Sequence, residues 1–233
     1  MNDTYDLSDL EMLAKDCLTR AGVGDATARV VAQDVALAEA YGDAESGFEA
    51  LLRDIRLVRY GRIYADAKVN ISTPTPAVIR VDAGHGFAAF ALAEALPSVI
   101  EAALSQGLAM VHLTRASDPG SMARAMAEIA AAPLAAVGLR PHGKAVAIRP
   151  MGRQVLPLDT GAQTMLSSLL TLAPPTPDMP LGGPVEESSW LTVLDPTVTA
   201  AEELLSHLPD VNTAPAAQGI AVAPELLAQI VNA

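Results

Sequence analysis

Cations, aromatic rings and cysteine are all scarce in this chain of 233 residues, and each shortage excludes something. Only 15 Lys and Arg stand against 27 Asp and Glu, giving a formal charge of −12. A nucleic-acid partner needs a basic stripe to neutralise phosphates, so none is expected, and anionic membrane surfaces are disfavoured for the same reason. Cys17 is the single cysteine, which rules out an internal disulfide and a thiolate cluster for zinc, and no metal site is expected. It sits within an apolar helical pattern and reads as a core residue. No run approaches the roughly 20 uninterrupted apolar residues of a membrane span. The opening MNDTYDLSDLEML lacks the basic start and apolar run of a signal peptide, so a reducing, cytoplasmic setting is the expectation. Aromatics make up 3% of the chain, yet hydrophobic residues make up 51%, enough to bury a core in one domain over residues 1–233.

The pattern of those apolar residues alternates between helix and strand. Ser8, with Glu11 three residues on, predicts a capping box before a helix that stops at Gly22. Asp25 can cap a second helix running to Gly42, and a third covers Gly47 to Tyr60, so residues 1–63 form a helical N-terminal part. A short β-branched run, Ala77 to Val81, leads into the turn AGHGF, whose glycines are explained by backbone shape, with His85 in that turn. Helical periodicity returns from Ala88 to Gln106, with Pro97 marking a kink or a fresh start. LAMVHLTRA then reads as a buried strand with His112 packed inside it, SMARAMAEIAAA as a helix, and 134–139 as another strand. Beyond Arg140, VAIRPMGRQVLPLD suggests an extended pair, TMLSSLLTLA a short helix and 173–189 a loop rich in Pro and Gly. WLTVLDP is a strand, AAEELLSHL a helix, and GIAVAP with ELLAQIV a terminal pair of short elements. This order predicts an α/β class with a sheet flanked by helices.

Two stretches carry more than secondary structure. AYGDAESGFEALL packs Gly42, Gly47, Ser46 and the acids Asp43, Glu45 and Glu49 between two helices, and ASDPGSM, from Ala116, follows the apolar strand. Together with VDAGHGFAAFALAEALPSVIEAALSQG, WLTVLDP and GIAVAPELLAQI, in that order, they resemble the malate/L-lactate dehydrogenase family of NAD(P)-dependent oxidoreductases, distinct from the Rossmann type. The resemblance implies an α/β fold with a mixed sheet, a dimer, and a central cofactor region, here shortened to about residues 140–189.

Carried over residue by residue, the resemblance implies altered chemistry. The family's Gly-x-x-Ser-His-Gly turn falls on Gly42 to Gly47, so Glu45 stands for the serine and Ser46 for the histidine. Ala50 stands where an arginine for the substrate carboxylate is usual, with Arg53 one turn further on. In the family's Ser-x-His-Phe-Gly motif, Asp118 replaces the histidine and Pro119 the aromatic. The cofactor turn Gly-Gly-His-Lys-Gly is best matched by LPLDTGAQTML, with Gly161 and Ala162 in place of His and Lys. A competing register would match Leu158 and Asp159 to a Leu-Asp-Met-Ala-Thr-Ser stretch and keep an aspartate.

Hydride transfer needs a proton donor near neutrality, a cation for the carboxylate and a held nicotinamide. With Glu45, Ser46, Asp118, Gly161 and Ala162 in those places, the expectation is a catalytically degenerate homologue without its NAD(P) cofactor. Such a chain would bind a small acidic metabolite or support a partner, as a homodimer or beside a related subunit, and His142, Lys144 and Arg53 are its candidate ligand-binding residues. The alternative is a divergent enzyme using the carboxylates Asp43, Glu45 and Asp118, with or without a divalent metal. In the plainer reading, Asp43 and Glu45 are solvated turn residues and Asp118 caps the helix that follows.

Overall fold

A computed structural model describes residues 3–140, 145–148, 156–157, 183–199 and 216–233. The elements are β1 (Asp3–Tyr5), α1 (Leu7–Arg20), α2 (Asp25–Ala40), α3 (Phe48–Arg59), β2 (Asn70–Thr75), β3 (Val78–Gly86), α4 (Ala88–Gln106), β4 (Leu108–Ala116), α5 (Ala123–Ala131) and β5 (Ala135–Leu139). They continue through β6 (Ala145–Ile148), β7 (Leu156–Pro157), β8 (Glu187–Leu194), a single turn α6 (Pro196–Thr199), β9 (Ile220–Val222) and α7 (Pro224–Asn232). The main sheet has seven strands in the order β2-β3-β4-β8-β5-β6-β7. Among the described strands only β3 and β4 pair in parallel, and the other neighbours are antiparallel, so the sheet is mixed as expected.

The parallel pair needs a long crossover, which α4 supplies. Its buried residues Ala88, Ala91, Leu92, Ala95, Leu96, Val99 and Ala103 recur at three and four and lie on the sheet beside Ile79, Val81, Val111, Leu113 and Val193. By length and composition α4 is apolar enough to cross a membrane, although Glu94, Ser98 and Glu101 interrupt its apolar residues. The apolar surface is spent on the core, which α5 completes through Met126 and Ile129. Pro97 lies inside the continuous helix and starts nothing new, and Gly107, at φ 81°, ends it in the left-handed conformation favoured at helix ends. A second apolar cluster joins α1, α2 and α3 through Leu10, Leu18, Val31, Phe48, Leu51 and Ile55 to β9 and α7 through Ile220, Val222, Leu227 and Ile230.

Several local expectations shift. Helix α1 begins at Leu7 behind Asp6, whose carbonyl accepts from the amides of Asp9 and Leu10, so Ser8 is already helical and caps nothing. Asp25 is the first residue of α2 and pairs with Lys15 at 2.7 Å. The strand expected at 77–81 extends into a hairpin with β2. Strand β4 alternates between buried and mostly half-buried residues, with α4 and α5 packed on its buried face, so it is not fully buried on both. His112 emerges on the other face, stacked on Trp190 at 4.2 Å between ring centroids, with Nε2 3.0 Å from the Ser188 hydroxyl. Strands β6 and β7 are the extended pair anticipated in 146–159. The helices expected at 164–173 and 200–208 lie outside the described residues.

Candidate active site

The site is built where two turns meet. The first, residues 42–47, joins α2 to α3. Gly42 reverses the chain at φ 82°, and the Ser46 amide donates to the Asp43 carboxylate at 3.2 Å. Gly47 leaves space that a side chain would fill: a Cβ there would lie 2.5 Å from Glu39 Oε1. That same oxygen accepts the Phe48 amide at 2.7 Å, so a buried carboxylate of α2 caps α3. The second turn, 117–122, follows the carboxyl end of β4. The Ser117 hydroxyl accepts the Ala88 amide at 3.1 Å and starts α4. Gly120, at φ 56°, faces Ser46 so closely that a Cβ would come 3.1 Å from the Ser46 Cβ.

Asp118 caps no helix, which corrects its plainer reading. One carboxylate oxygen accepts the Gly120 amide at 3.1 Å, and Arg140 grips both, Nε at 3.3 Å and Nη2 at 3.0 Å. Helix α5 starts behind Met122, and its Arg124 amide donates to Asp34 of α2 at 2.8 Å. Burial alone would raise the Asp118 carboxyl, but the Arg140 hydrogen bonds and charge, the Gly120 amide and the Arg53 charge together hold it below the ordinary range. It is an anion and a poor proton donor. Asp54 is the opposite case. Burial pushes its carboxyl up to about 6, the Arg53 charge and hydrogen bond at 3.2 Å oppose this, and the Asp118 charge adds to it.

Two serine hydroxyls complete the site. Ser46 is 4% and Ser121 2% exposed, and neither hydroxyl has a hydrogen-bond partner among the described residues. Buried hydroxyls without partners are uncommon and mark places where a water or ligand belongs. Of the residues singled out from sequence, the fold brings Ser46 against the Asp118 turn and sets Arg53 and Asp118 within electrostatic reach of each other. Glu45 lies exposed on the rim, and Asp43 accepts from its own turn. Among the described residues no three of His, Cys, Asp and Glu gather as metal ligands, so Asp43, Glu45 and Asp118 do not form the carboxylate cluster of the alternative reading. His142, Lys144, Gly161 and Ala162 lie outside the described residues. Arg140, Asp54 and Ser121 were not singled out from sequence. Their only advance signal is polarity beside apolar strand and helix patterns.

The fold and its comparisons first give a class. Over 99% of both chains the structure matches the delta1-piperideine-2-carboxylate reductase of Pseudomonas syringae pvar. tomato, with a TM-score of 0.72 at 17% identity. It matches the sulfolactate dehydrogenase of Methanocaldococcus jannaschii with a TM-score of 0.70 at 14% identity, over 98% of this chain and 95% of that one. The fold is thus that of these dehydrogenases and reductases. The sequence fixes the family: the model of the malate/L-lactate dehydrogenase family matches residues 5–154, and the chain belongs to that family. A delta(1)-pyrroline-2-carboxylate reductase of Ancylobacter novellus is 36% identical over 107 residues, 46% of this chain and 31% of the relative. One from Pseudomonas fluorescens is 33% identical over 112 residues, 48% of this chain and 33% of the relative. The matches span about a third of the length of these curated relatives.

These findings correct three expectations. Relatives named as reductases overturn the degenerate, ligand-binding or subunit-supporting homologue, the leaning against an enzyme, and the loss of the nicotinamide cofactor. The carboxylate enzyme built on Asp43, Glu45 and Asp118 falls with them. The error has a physical source. Single side chains at motif positions do not define this site, because its buried polar groups include Arg140, Asp54 and Ser121, which lie outside those positions.

Proposed function

We propose that this protein is a nicotinamide-dependent reductase of a small cyclic imino acid carrying a carboxylate, of the type for which its relatives are named. The observation that carries the reading is the pair of buried hydroxyls of Ser46 and Ser121, neither partnered among the described residues, where Ser46 faces Gly120 and Ser121 follows it in the chain. Two free hydroxyls suit a carboxamide, which both donates and accepts, so this donor set fits a nicotinamide ring. When bound, the reduced cofactor supplies the hydride.

The chain's own residues supply binding, charge and a proton. Arg53, with its side chain 41% exposed, offers a cation to a substrate carboxylate. Arg140 keeps Asp118 ionised and fixed, so that the turn carrying Gly120 and Ser121 holds one shape. Asp54, beside Arg53 and within electrostatic reach of Asp118, has its carboxyl pushed up to about 6, so it takes up a proton nearer neutrality than an ordinary aspartate, and it is assigned as the proton store for the ring nitrogen. The same reading takes the protein to be cytoplasmic and a homodimer or paired with a related subunit.

The test is direct. Purified protein with Δ1-pyrroline-2-carboxylate and NADPH or NADH is expected to consume the reduced cofactor, followed by its absorbance. Absence of turnover with both cofactors refutes the proposal.

A further inference from the structure

Helix α2 holds the first turns of α3 and α5, the helices that follow the two turns of the site, through two carboxylates that no sequence motif marks. Asp34 is 8% and Glu39 7% exposed, and each spends an oxygen on a single backbone amide: Asp34 on Arg124 at 2.8 Å, Glu39 on Phe48 at 2.7 Å. Each amide belongs to the first turn of a helix, where N–H groups lack intrahelical partners. Neither α3 nor α5 has a side-chain cap of its own, since Gly47 precedes one and Met122 the other. The carboxylates therefore act as caps delivered from a neighbouring helix, with negative charge at the positive ends of the α3 and α5 dipoles.

The placement bears on the site. Phe48 lies two residues beyond Ser46, and Arg124 three beyond Ser121. Ser46 and Gly120 face each other so closely that a Cβ on Gly120 would lie 3.1 Å from the Ser46 Cβ, so the relative position of the two turns sets the distance between the hydroxyls. A carboxylate buried at neutral pH costs stability, and a neutral residue with good helix propensity would suit α2 better. Keeping two such groups, each on one amide beside the site, is what a fixed geometry requires.

We infer that Asp34 and Glu39 are positioning residues, which hold the 117–122 and 42–47 turns in register from one helix. This deepens the proposed reductase reading and rests on it for its catalytic consequence. The experiment combines amide hydrogen exchange at Phe48 and Arg124 with steady-state kinetics on Δ1-pyrroline-2-carboxylate, for D34A, E39A, D34N and E39Q. Loss of one charged hydrogen bond is expected to speed exchange at its own amide about tenfold or more while the opposite turn stays protected. It should lower kcat at least about tenfold with KM changed much less, since misplacement by an ångström acts on the reacting geometry. D34N and E39Q keep an accepting oxygen and should recover most of both losses.

Exchange at Phe48 and Arg124 that is unchanged in the alanine variants, or kcat within about twofold of the parent, overturns the inference. If an alanine variant does not fold, D34N and E39Q decide on the same readouts. A neutral acceptor should speed exchange a few-fold, and no change refutes the role. Should the parent show no turnover, the reductase reading fails alone, and the exchange measurements still decide whether these carboxylates hold the turns.

Discussion

Replacing Asp54 with Asn is expected to stabilise the protein at neutral pH and to flatten its response to acid. Asp54 is buried on α3, and burial raises its carboxyl from the ordinary 3.8 to about 6 against the pull of Arg53. The folded protein thus binds this proton more tightly than the unfolded chain does. The native state is penalised wherever the carboxyl is ionised in both, above about pH 6, and the penalty shrinks as pH falls from there toward 3.8. At about 1.36 kcal/mol per pH unit, the full penalty is about 3 kcal/mol, and about half of it is gone by pH 5. Asn keeps the shape and an oxygen for Arg53 but has no charge to bury. Urea unfolding of parent and D54N at about pH 7.5 and about pH 5 reads this out, with the variant ahead at both and its lead roughly halved at the lower pH. Asp34 shares the upward shift, but it is present in both proteins and cancels in the comparison. In the reductase assay the stabilised variant should lose turnover by about 100-fold or more, the cost of removing a proton store. An equal lead at both pH values, or a variant less stable than the parent, refutes the electrostatic reasoning.

Other perturbations separate binding from architecture. R140M leaves the part-buried Asp118 carboxylate without its cation, so a loss of about 3 kcal/mol is expected by urea unfolding. In the parent, the lowered Asp118 carboxyl adds stability above the ordinary aspartate range that is lost as pH falls through its native value. That acid-side loss should vanish in R140M. S46A removes a hydroxyl without a hydrogen bond among the described residues, so stability should stay within about 0.5 kcal/mol while NADPH affinity by calorimetry falls about tenfold. G47A drives a methyl into the Glu39 carboxyl and should cost about 1–3 kcal/mol, with exchange at Phe48 accelerated.

Much of the fold is legible in the sequence because its signals are local. Apolar spacing in α4 and β4 and the glycine stops at Gly22 and Gly107 each act within a few residues. The site is less legible. The pairs Asp118–Arg140, Asp34–Arg124 and Glu39–Phe48 join residues from different elements, and a carboxylate on an amphipathic helix looks like any solvated charge until the neighbouring helix is placed. Caps show the same limit. Ser8 and Asp118 both have the residue type of an N-cap, yet the amides at the actual helix starts find their acceptors elsewhere.

The small sheet of β1 and β9 sets the order in which the chain can become complete. Asp3–Tyr5 pair with Ile220–Val222, and the core of α1, α2 and α3 is closed by residues that follow, Leu227 and Ile230. During synthesis the three helices emerge well before β9 and α7, so an apolar side of theirs stays uncovered until those later elements have been made. The core of α1, α2 and α3 is therefore sealed late relative to its own synthesis, and its vulnerability to aggregation depends on how quickly α7 arrives.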